Sequence, residues 1–424
     1  MGIRFFGARA AAPREVDLFR AVAVAALVAA ALVVSPQVAS AQFVQQGGKL
    51  TASGIASQGA SVTVSADGNT ATAAAYYAGV QQLGALVYLR DGNGTWTQSS
   101  QLIGSGMANC ISAQALSVAL SADGNTAIVG AVGICSIGGE GAWVFVRDSN
   151  GNWTQQGGRL FGSGASGDAQ QGYSVALSAD GNTAIVGGSG DNSNVGAAWV
   201  YTRSNGVWTQ QGSKLIGSGS SGTPKQGWSV ALSADGNTAI VGGLLDNTIP
   251  SAQLGVTGDG AAWVFTRDSN GTWTQQGSKL VGSGASGQAQ QGASVALSAD
   301  GNTAIVGGPQ DHAEVGAAWI YTRSNGTWTQ QGSKVVGSGV SGIAAQGTSA
   351  ALSADGNTAI VGGPEDNAEV GAAWVYTRSN GTWTQQNSKL VGSGASGAAK
   401  QDTSVALSGD GNTAVVGGPG DSSG

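Results

Sequence analysis

The sequence is poor in charge and in histidine. Only 10% of its 424 residues are Asp, Glu, Lys or Arg, against about a quarter in an average protein, which argues against a disordered polyelectrolyte. The net charge is −6 and the basic residues are dispersed, so the chain lacks the basic patch that nucleic-acid binding needs. The single histidine, His312, provides neither an imidazole cluster for a metal nor a repeated Ser-His-Asp arrangement. These absences exclude nucleic-acid binding and argue against catalysis.

Glycine, by contrast, is abundant. There are 73 glycines, more than twice the average usage of about 7%, and 41% of the residues are hydrophobic. Because glycine disfavours helix interiors, this composition predicts an all-β protein rich in turns.

The first 41 residues have the pattern of a secretory signal peptide. Basic residues precede an apolar run over residues 21–34, which is short for a membrane span, and Ala39, Ser40 and Ala41 form a small-residue cleavage site. We therefore predict cleavage before Gln42 and a secreted or cell-envelope protein, in a bacterium. An uncleaved membrane anchor is the alternative, and no later segment could cross a membrane.

An internal repeat dominates the rest of the chain. The motif S-A-D-G-N-T-A recurs about every 55 residues, starting at Ser65, Ser121, Ser178, Ser233, Ser298 and Ser353, and with one substitution at Ser408. The sequence therefore contains seven units, one of which carries an insertion near residues 244–257.

Each unit predicts two β-hairpins. Apolar, β-branched runs flank Asp180 and Gly181, which predicts a two-residue turn with positive φ at both residues and with Leu177 opposite Ala184. A second hairpin turns at Asn205 and Gly206, and its last strand is polar, as suits a solvated edge.

Four strands per unit, repeated seven times, predict a seven-bladed β-propeller of four-stranded antiparallel blades. A β-solenoid is a poorer fit because its rungs are shorter than such a pair of hairpins. The apolar faces of the inner hairpin fit a sheet that lies between two neighbouring blades.

The repeat resembles the FG-GAP repeats of integrin α-subunit propellers and of secreted bacterial proteins. Gly172 and Tyr173 occupy the place of the Phe-Gly signature of that family, and Gly307, Gly308 and Pro309 resemble its Gly-Ala-Pro. The resemblance covers residues 42–424 and implies a propeller used for adhesion or ligand binding.

Two features depart from that family. Its calcium loops contain several carboxylates, whereas each turn here offers a lone aspartate, so we expect turn formation, with calcium binding as an alternative. In addition, the seventh unit stops at Gly424 after its first hairpin. Residues 43–50 match a fourth strand but the third is missing, which predicts an incomplete last blade or, as we prefer, a truncated sequence.

Several residues are candidates for binding or cross-linking. Most tryptophans recur with the repeat and are expected to be structural, opposite arginines such as Arg203 across from Trp208, whereas Trp228 stands outside these rows and is a candidate ligand contact. Cys110 and Cys135 fall at the same end of one hairpin, which predicts a disulfide in an oxidising compartment. Three loop aspartates are further candidates for ligand binding: Asp191, Asp311 and Asp366.

The sequence thus predicts a non-catalytic module for binding, adhesion or structure, without a cofactor and with an unknown protein or glycan ligand. One alternative is a calcium-assisted or glycan-binding, lectin-like propeller. The other is a propeller hydrolase that uses loop carboxylates, because two acids need only converge in space.

Overall fold

The computed structural model describes residues 2–9, 42–52, 55, 57–77, 82–105, 110–135, 140–251 and 255–421. In this part of the chain the secondary structure is almost entirely β. The strands of the first half are β1 (Gly2–Arg9), β2 (Gln42–Gln45), β3 (Ser57–Val64), β4 (Thr70–Tyr77), β5 (Gln82–Arg90), β6 (Trp96–Leu102), β7 (Cys110–Leu120), β8 (Thr126–Cys135), β9 (Gly141–Arg147), β10 (Trp153–Gln155), β11 (Gln171–Leu177), β12 (Thr183–Gly188), β13 (Ala197–Ser204), β14 (Val207–Gln210) and β15 (Ser229–Leu232).

The second half continues the same pattern. Its strands are β16 (Thr238–Gly243), β17 (Thr248–Ser251), β18 (Gly255–Gly258), β19 (Ala261–Arg267), β20 (Trp273–Gln275), β21 (Ser294–Leu297), β22 (Thr303–Gly308), β23 (Ala317–Ser324), β24 (Thr327–Gln330), β25 (Ser349–Leu352), β26 (Thr358–Gly363), β27 (Ala372–Ser379), β28 (Thr382–Gln385), β29 (Ser404–Leu407) and β30 (Thr413–Gly418). Three short turns, assigned as helix, connect second to third strands: α1 (Asp191–Asn194), α2 (Asp311–Glu314) and α3 (Asp366–Glu369).

Seven four-stranded antiparallel sheets form the blades of a propeller, which confirms the predicted fold. In chain order the sheets are β3–β6, β7–β10, β11–β14, β15 with β16, β19 and β20, β21–β24, β25–β28, and β29 with β30, β1 and β2; we number them blades 1 to 7. The insertion of the fourth unit forms a separate two-stranded hairpin, β17–β18. In every blade the first-named strand lies innermost, around a central channel.

The predicted hairpin registers are confirmed. Leu177 pairs with Ala184 and Arg203 pairs with Trp208, and the Arg203 guanidinium lies 5.3 Å from the centre of the Trp208 ring. The Asp180 turn differs from the prediction, because positive φ occurs at Gly181 and not at Asp180. Instead, the Asp180 carboxylate accepts a hydrogen bond from the Ser178 hydroxyl at 2.5 Å and from the Asn182 N–H at 2.9 Å, which closes a longer loop.

A circle of backbone hydrogen bonds closes the ring. At the inner turns, the N–H of Ala66 donates to the carbonyl of Ala122 in the next blade, and the same bond repeats from blade to blade until Gly409 donates back to Ala66. The seven bonds measure 2.8–2.9 Å and join Ala66, Ala122, Ala179, Ala234, Ala299, Ala354 and Gly409.

Blade 7 corrects the expectation of an incomplete last blade. Residues 2–9 form its third strand, β1, which pairs with β30 on one side and with β2 on the other. The sequence did not reveal this strand because its residues do not resemble the other third strands and lie within the predicted signal peptide. Cleavage of that peptide remains a prediction.

The core consists of seven clusters, each between two neighbouring blades. The third strands of blades 2 to 6 each bury a tryptophan fully, and its indole N–H donates to a serine carbonyl 2.8–2.9 Å away in a neighbouring connection. These side chains are Trp143, Trp199, Trp263, Trp319 and Trp374. The structural interpretation of this tryptophan row is therefore supported.

Among the described residues, no helix is long and apolar enough to cross a membrane. The apolar run over residues 21–34 lies outside the described part of the chain.

Candidate functional site at the mouth of the central channel

The two ends of the ring carry different loops. The inner turns of the S-A-D-G-N-T-A motif and the turns at Asn-Gly lie at one end, which we call the lower end. The connections from strand 2 to strand 3 and from one blade to the next lie at the other, which we call the upper end. The upper-end loops differ most from unit to unit.

The channel between the innermost strands has a volume of about 530 Å³. One serine from each blade lines it, but these hydroxyl groups join neighbouring blades. Ser174 and Ser229, for example, donate to the carbonyls of Gly227 and Gly292 at 2.8 Å, whereas Ser61 accepts from the N–H of Val118. The serines are therefore structural, as expected from their place in the repeat.

Two aromatic side chains break the sevenfold symmetry of the channel. Tyr173 lies near the start of the inner strand of blade 3, and Trp228 directly precedes that of blade 4. Their rings lie side by side, with ring centres 4.4 Å apart and ring planes inclined by 40°. In blades 1, 5, 6 and 7 small side chains line this level, namely Ala60, Ala293, Thr348 and Thr403. Both rings are half-buried, so the pair is an open apolar platform at the upper mouth.

A cation lies beside this platform. The Lys225 ammonium is 5.5 Å from the centre of the Trp228 ring, and Lys225 adopts the left-handed backbone conformation with φ +56°. Burial raises the pKa of the Tyr173 hydroxyl, which therefore remains a neutral hydrogen-bond donor over the physiological range. The mouth thus combines two aromatic faces, a hydroxyl donor and a positive charge.

A pair of carboxylates lies at the same end of the ring, where blade 2 meets the loop that leads into Tyr173. Glu140 immediately precedes β9 of blade 2, and Asp168 lies in the connection to blade 3. Burial and the nearby Asp168 charge raise the pKa of Glu140, although the backbone N–H groups of Gln170 and Gln171 donate to its carboxylate and lower it. These two donors stand two and three residues before Tyr173, so the acid is held by the loop that leads into the strand of Tyr173.

Glu140 occupies a position where blades 3 to 6 have glycine. By strand register it corresponds to Gly196 of blade 3, where φ is +75° and a Cβ atom would lie 2.1 Å from the Gln226 carbonyl oxygen. In blade 3 the N–H groups of Lys225 and Gln226 donate to loop carbonyls. In blade 2 the Glu140 carboxylate accepts the equivalent pair, and Arg159 donates to the Glu140 backbone carbonyl at 2.9 Å.

The aspartates predicted to bind a ligand are buried inside the upper-end loops. Asp191 is fully buried, accepts from the Ser166 N–H at 2.8 Å and pairs with the Lys214 ammonium at 2.5 Å. Asp311 and Asp366 form the same interactions with the equivalent lysines, Lys334 and Lys389. Because both carboxylate oxygens are engaged within the fold, these residues lock the loops and are not available to a ligand.

The inner-turn aspartates are also engaged by the protein. Burial would raise the pKa of Asp180, but hydrogen bonds from Ser178 and Asn182 lower it overall. Among the described residues, no three His, Cys, Asp or Glu side chains converge as metal ligands do. The turn-forming role is thus accounted for, and calcium binding has no support from these contacts.

Cys110 and Cys135 are direct cross-strand partners in the register of β7 and β8. Their side chains lie outside what the structure describes, so the disulfide remains a prediction.

Comparison with known proteins supports the fold. No family model and no curated protein matches the chain. Among solved structures, a protein from Lactobacillus plantarum superposes with a TM-score of 0.55 at 14% identity, over 92% of this chain and 96% of that one. The periplasmic gluconolactonase PpgL of Pseudomonas aeruginosa superposes with a TM-score of 0.50 at 18% identity, over 84% of this chain and 93% of that one. The FG-GAP resemblance remains a prediction.

These findings correct the expectation of a non-catalytic adhesion module. A propeller that superposes on this chain is named as a gluconolactonase, so the propeller fold gives no ground for a non-catalytic interpretation. Acidic residues that recur with the repeat are expected to share a structural role, which is an argument against a catalytic one. That argument holds for Asp191 and its equivalents, but it does not apply to Glu140 and Asp168.

Sequence reasoning missed Glu140, Asp168, Lys225 and Tyr173 as a group. The sequence does single out Glu140, because it stands where other units have a glycine: Gly196, Gly260, Gly316 and Gly371. Trp228 was identified by the same criterion, its departure from the repeat. The neighbourhood of these residues could not be inferred, since they come from three blades.

Proposed function

We propose that the protein is a propeller hydrolase that opens a cyclic ester of a sugar-type substrate at the upper mouth of the channel. The observation that carries this proposal is the Glu140 carboxyl group, whose pKa is raised by burial and by Asp168, on the loop that leads into Tyr173 of the Tyr173–Trp228 platform. The gluconolactonase PpgL supports the proposal at the level of fold.

The platform suits a sugar ring. The apolar face of a pyranose packs against aromatic rings, and the Tyr173 hydroxyl can donate a hydrogen bond to a ring substituent. Hydrolysis of a lactone produces a carboxylate, which the ammonium group of Lys225 attracts.

Glu140 supplies the proton transfers. As water adds to the ester carbonyl carbon, the Glu140 carboxylate takes a proton from it. The protonated Glu140 then returns that proton to the ring oxygen as the carbon–oxygen bond breaks, which yields a hydroxy acid. A raised pKa suits this double role, because it brings the group closer to the operating pH.

Activity on a sugar lactone such as glucono-1,5-lactone tests the proposal. Glu140→Gln should lower kcat by about 100-fold or more, in the range of general acid–base catalysis, without unfolding the protein. Trp228→Ala should raise KM and leave kcat nearly unchanged. Glu314→Gln, at an upper-end loop of blade 5, is the matched control and should behave as wild type. Inertness towards a panel of sugar lactones, or an unchanged kcat in Glu140→Gln, would refute the proposal.

We further propose that the enzyme acts outside the cytoplasm, in the envelope or secreted from a bacterium. The predicted signal peptide and the periplasmic location named for PpgL support this assignment. The N-terminal sequence of the protein isolated from its host is the direct test, and a start at Gln42 is the expected result.

A further inference from the structure

The third strand of blade 7 differs chemically from its counterparts. In register, Arg4 stands opposite Val416 as Trp199 stands opposite Val186 in blade 3. The Arg4 side chain is fully buried, and its Nε donates to the Ser393 carbonyl at 3.1 Å, the same role that the Trp199 indole plays towards Ser163 at 2.8 Å. An arginine therefore fills a tryptophan pocket.

A second substitution accompanies the first. Asp402 occupies a position that is glycine in blades 1, 3, 4, 5 and 6, where φ lies between +82° and +98°. Asp402 itself has φ +70° and is buried, and its Oδ1 has no hydrogen-bond partner. Arg4 Nη1 is likewise buried and unpartnered, and the Arg4 charge acts on the Asp402 carboxyl.

The remaining contacts of β1 also favour a basic strand. Arg4 Nη2 forms a fully buried ion pair with Asp421 at 2.8 Å, and Lys49 reaches the same carboxylate at 3.1 Å. On either side of Arg4, Ile3 and Phe5 pack against blade 1, where Phe5 stacks on Trp96 with ring centres 3.9 Å apart. The site thus provides the buried carboxyl groups of Asp402 and Asp421, apolar pockets and two strand edges.

We propose that the third-strand position of blade 7 is a binding site for an extended peptide with an arginine between apolar residues, occupied in this structure by residues 2–9. Predicted cleavage before Gln42 would remove β1 while keeping β2, and so would vacate the site in the secreted protein. An extended basic segment of a partner protein then completes the blade by β-strand addition, in which backbone hydrogen bonds provide affinity and the pockets provide selectivity.

Arg4 and Asp402 together predict which peptides the site selects. The charge of an arginine offsets part of the cost of burying the Asp402 carboxyl group, whereas a tryptophan there fills the pocket but provides no cation. A chain with the glycine of the other blades at position 402 should therefore lose its preference for arginine over tryptophan.

The test uses the full-length chain with a specific protease site placed between residues 9 and 42. After cleavage, a labelled peptide of residues 2–9 is added in excess, and its uptake is measured by fluorescence anisotropy after gel filtration, with circular dichroism as the check on folding. We expect uptake of one peptide per chain. The peptide with Arg4→Ala should bind at least about 100-fold more weakly, in keeping with the loss of a buried charge pair.

A comparison of the wild-type chain with the Asp402→Gly chain then tests whether Asp402 causes the preference for arginine. On the wild-type chain the peptide with Arg4→Trp should bind more weakly than the arginine peptide, and on the Asp402→Gly chain it should bind equally or more tightly. Equal binding of the arginine and alanine peptides, failure of a folded cleaved chain to take up peptide, or unfolding on cleavage would each overturn the proposal. Subunit exchange through residues 2–9 of a second copy, detected as dimers of the uncleaved chain, would overturn the assignment to a partner protein.

Discussion

In blades 3 to 6 all four strands come from one continuous stretch of chain, whereas blade 7 takes two strands from residues 404–418 and two from residues 2–45. The continuous blades share three features: a buried tryptophan, a glycine with positive φ just before or within the start of the inner strand, and a buried aspartate paired with a lysine. Blade 7 keeps the Asp–Lys pair, as Asp421 with Lys49, but replaces the other two by Arg4 and Asp402. The comparison shows that the blade architecture tolerates a buried cation and a buried carboxyl group together, although the Arg4 charge offsets only part of the cost of burying Asp402.

The largest expected effect concerns the continuous blades. Trp319→Ala should lower the free energy of unfolding by about 3–5 kcal/mol, because it removes a fully buried aromatic side chain between two blades. Urea denaturation followed by circular dichroism measures it. A loss below about 1 kcal/mol would show that the tryptophan row does not hold the blades together.

The buried ion pairs are expected to matter less. Asp311→Ala leaves the Lys334 ammonium and the Ser286 N–H without their acceptor, and we expect a loss of about 2–3 kcal/mol, since Lys334 remains partly exposed. Lys400→Ala is the control. It breaks an exposed pair with Glu369 at 3.3 Å and should cost at most about 0.5 kcal/mol. Equal losses in the two variants would contradict the locking role of Asp311.

Restoring the common residue in blade 7 should stabilise the protein. Asp402→Gly removes a buried carboxyl group with an unpartnered oxygen. It also puts glycine at a position with the left-handed backbone conformation. We expect the free energy of unfolding to rise by about 1–2 kcal/mol at neutral pH. Thermal denaturation compares the two chains. A destabilised variant would mean that Asp402 contributes a favourable contact.

The pH dependence of that gain has a defined sign. Burial raises the pKa of Asp402 well above its ordinary value, despite the opposing effect of Arg4, so the folded state holds a proton that the unfolded state releases above about pH 4. Wild-type stability therefore falls as the pH rises from that point. The advantage of Asp402→Gly should grow with pH over the same range, and an advantage that shrinks with pH would contradict this account.

The smallest expected effect is a shift of the pH–rate profile, and it concerns the acidic residues at blade 2. Asp168→Asn removes a like charge near Glu140, so the pKa of Glu140 should fall and the acidic limb of the pH–rate profile should move to lower pH. The profile of kcat/KM against pH measures this shift in a lactonase assay. An unchanged acidic limb would show that Glu140 is not the group that titrates.

Much of the fold could be predicted because the information is local. The Asn205–Gly206 turn sets the register that puts Arg203 opposite Trp208, and a period of about 55 residues sets the blade. The candidate site was predicted less well. Trp228 was identified because it departs from the repeat. The sequence does not distinguish a loop aspartate that binds a ligand from one that is buried against a partly exposed lysine, as Asp191, Asp311 and Asp366 are here.

The sequence by itself thus determined the number of blades, the hairpins within them and the side chains that recur between them, since these follow from turn chemistry and from alternation along each strand. Tertiary structure alone decided which segment completes blade 7 and which acids meet at the channel mouth. Both depend on contacts between residues far apart in the chain, such as Arg4 with Asp421 and Tyr173 with Trp228, and no local pattern encodes the distance between them.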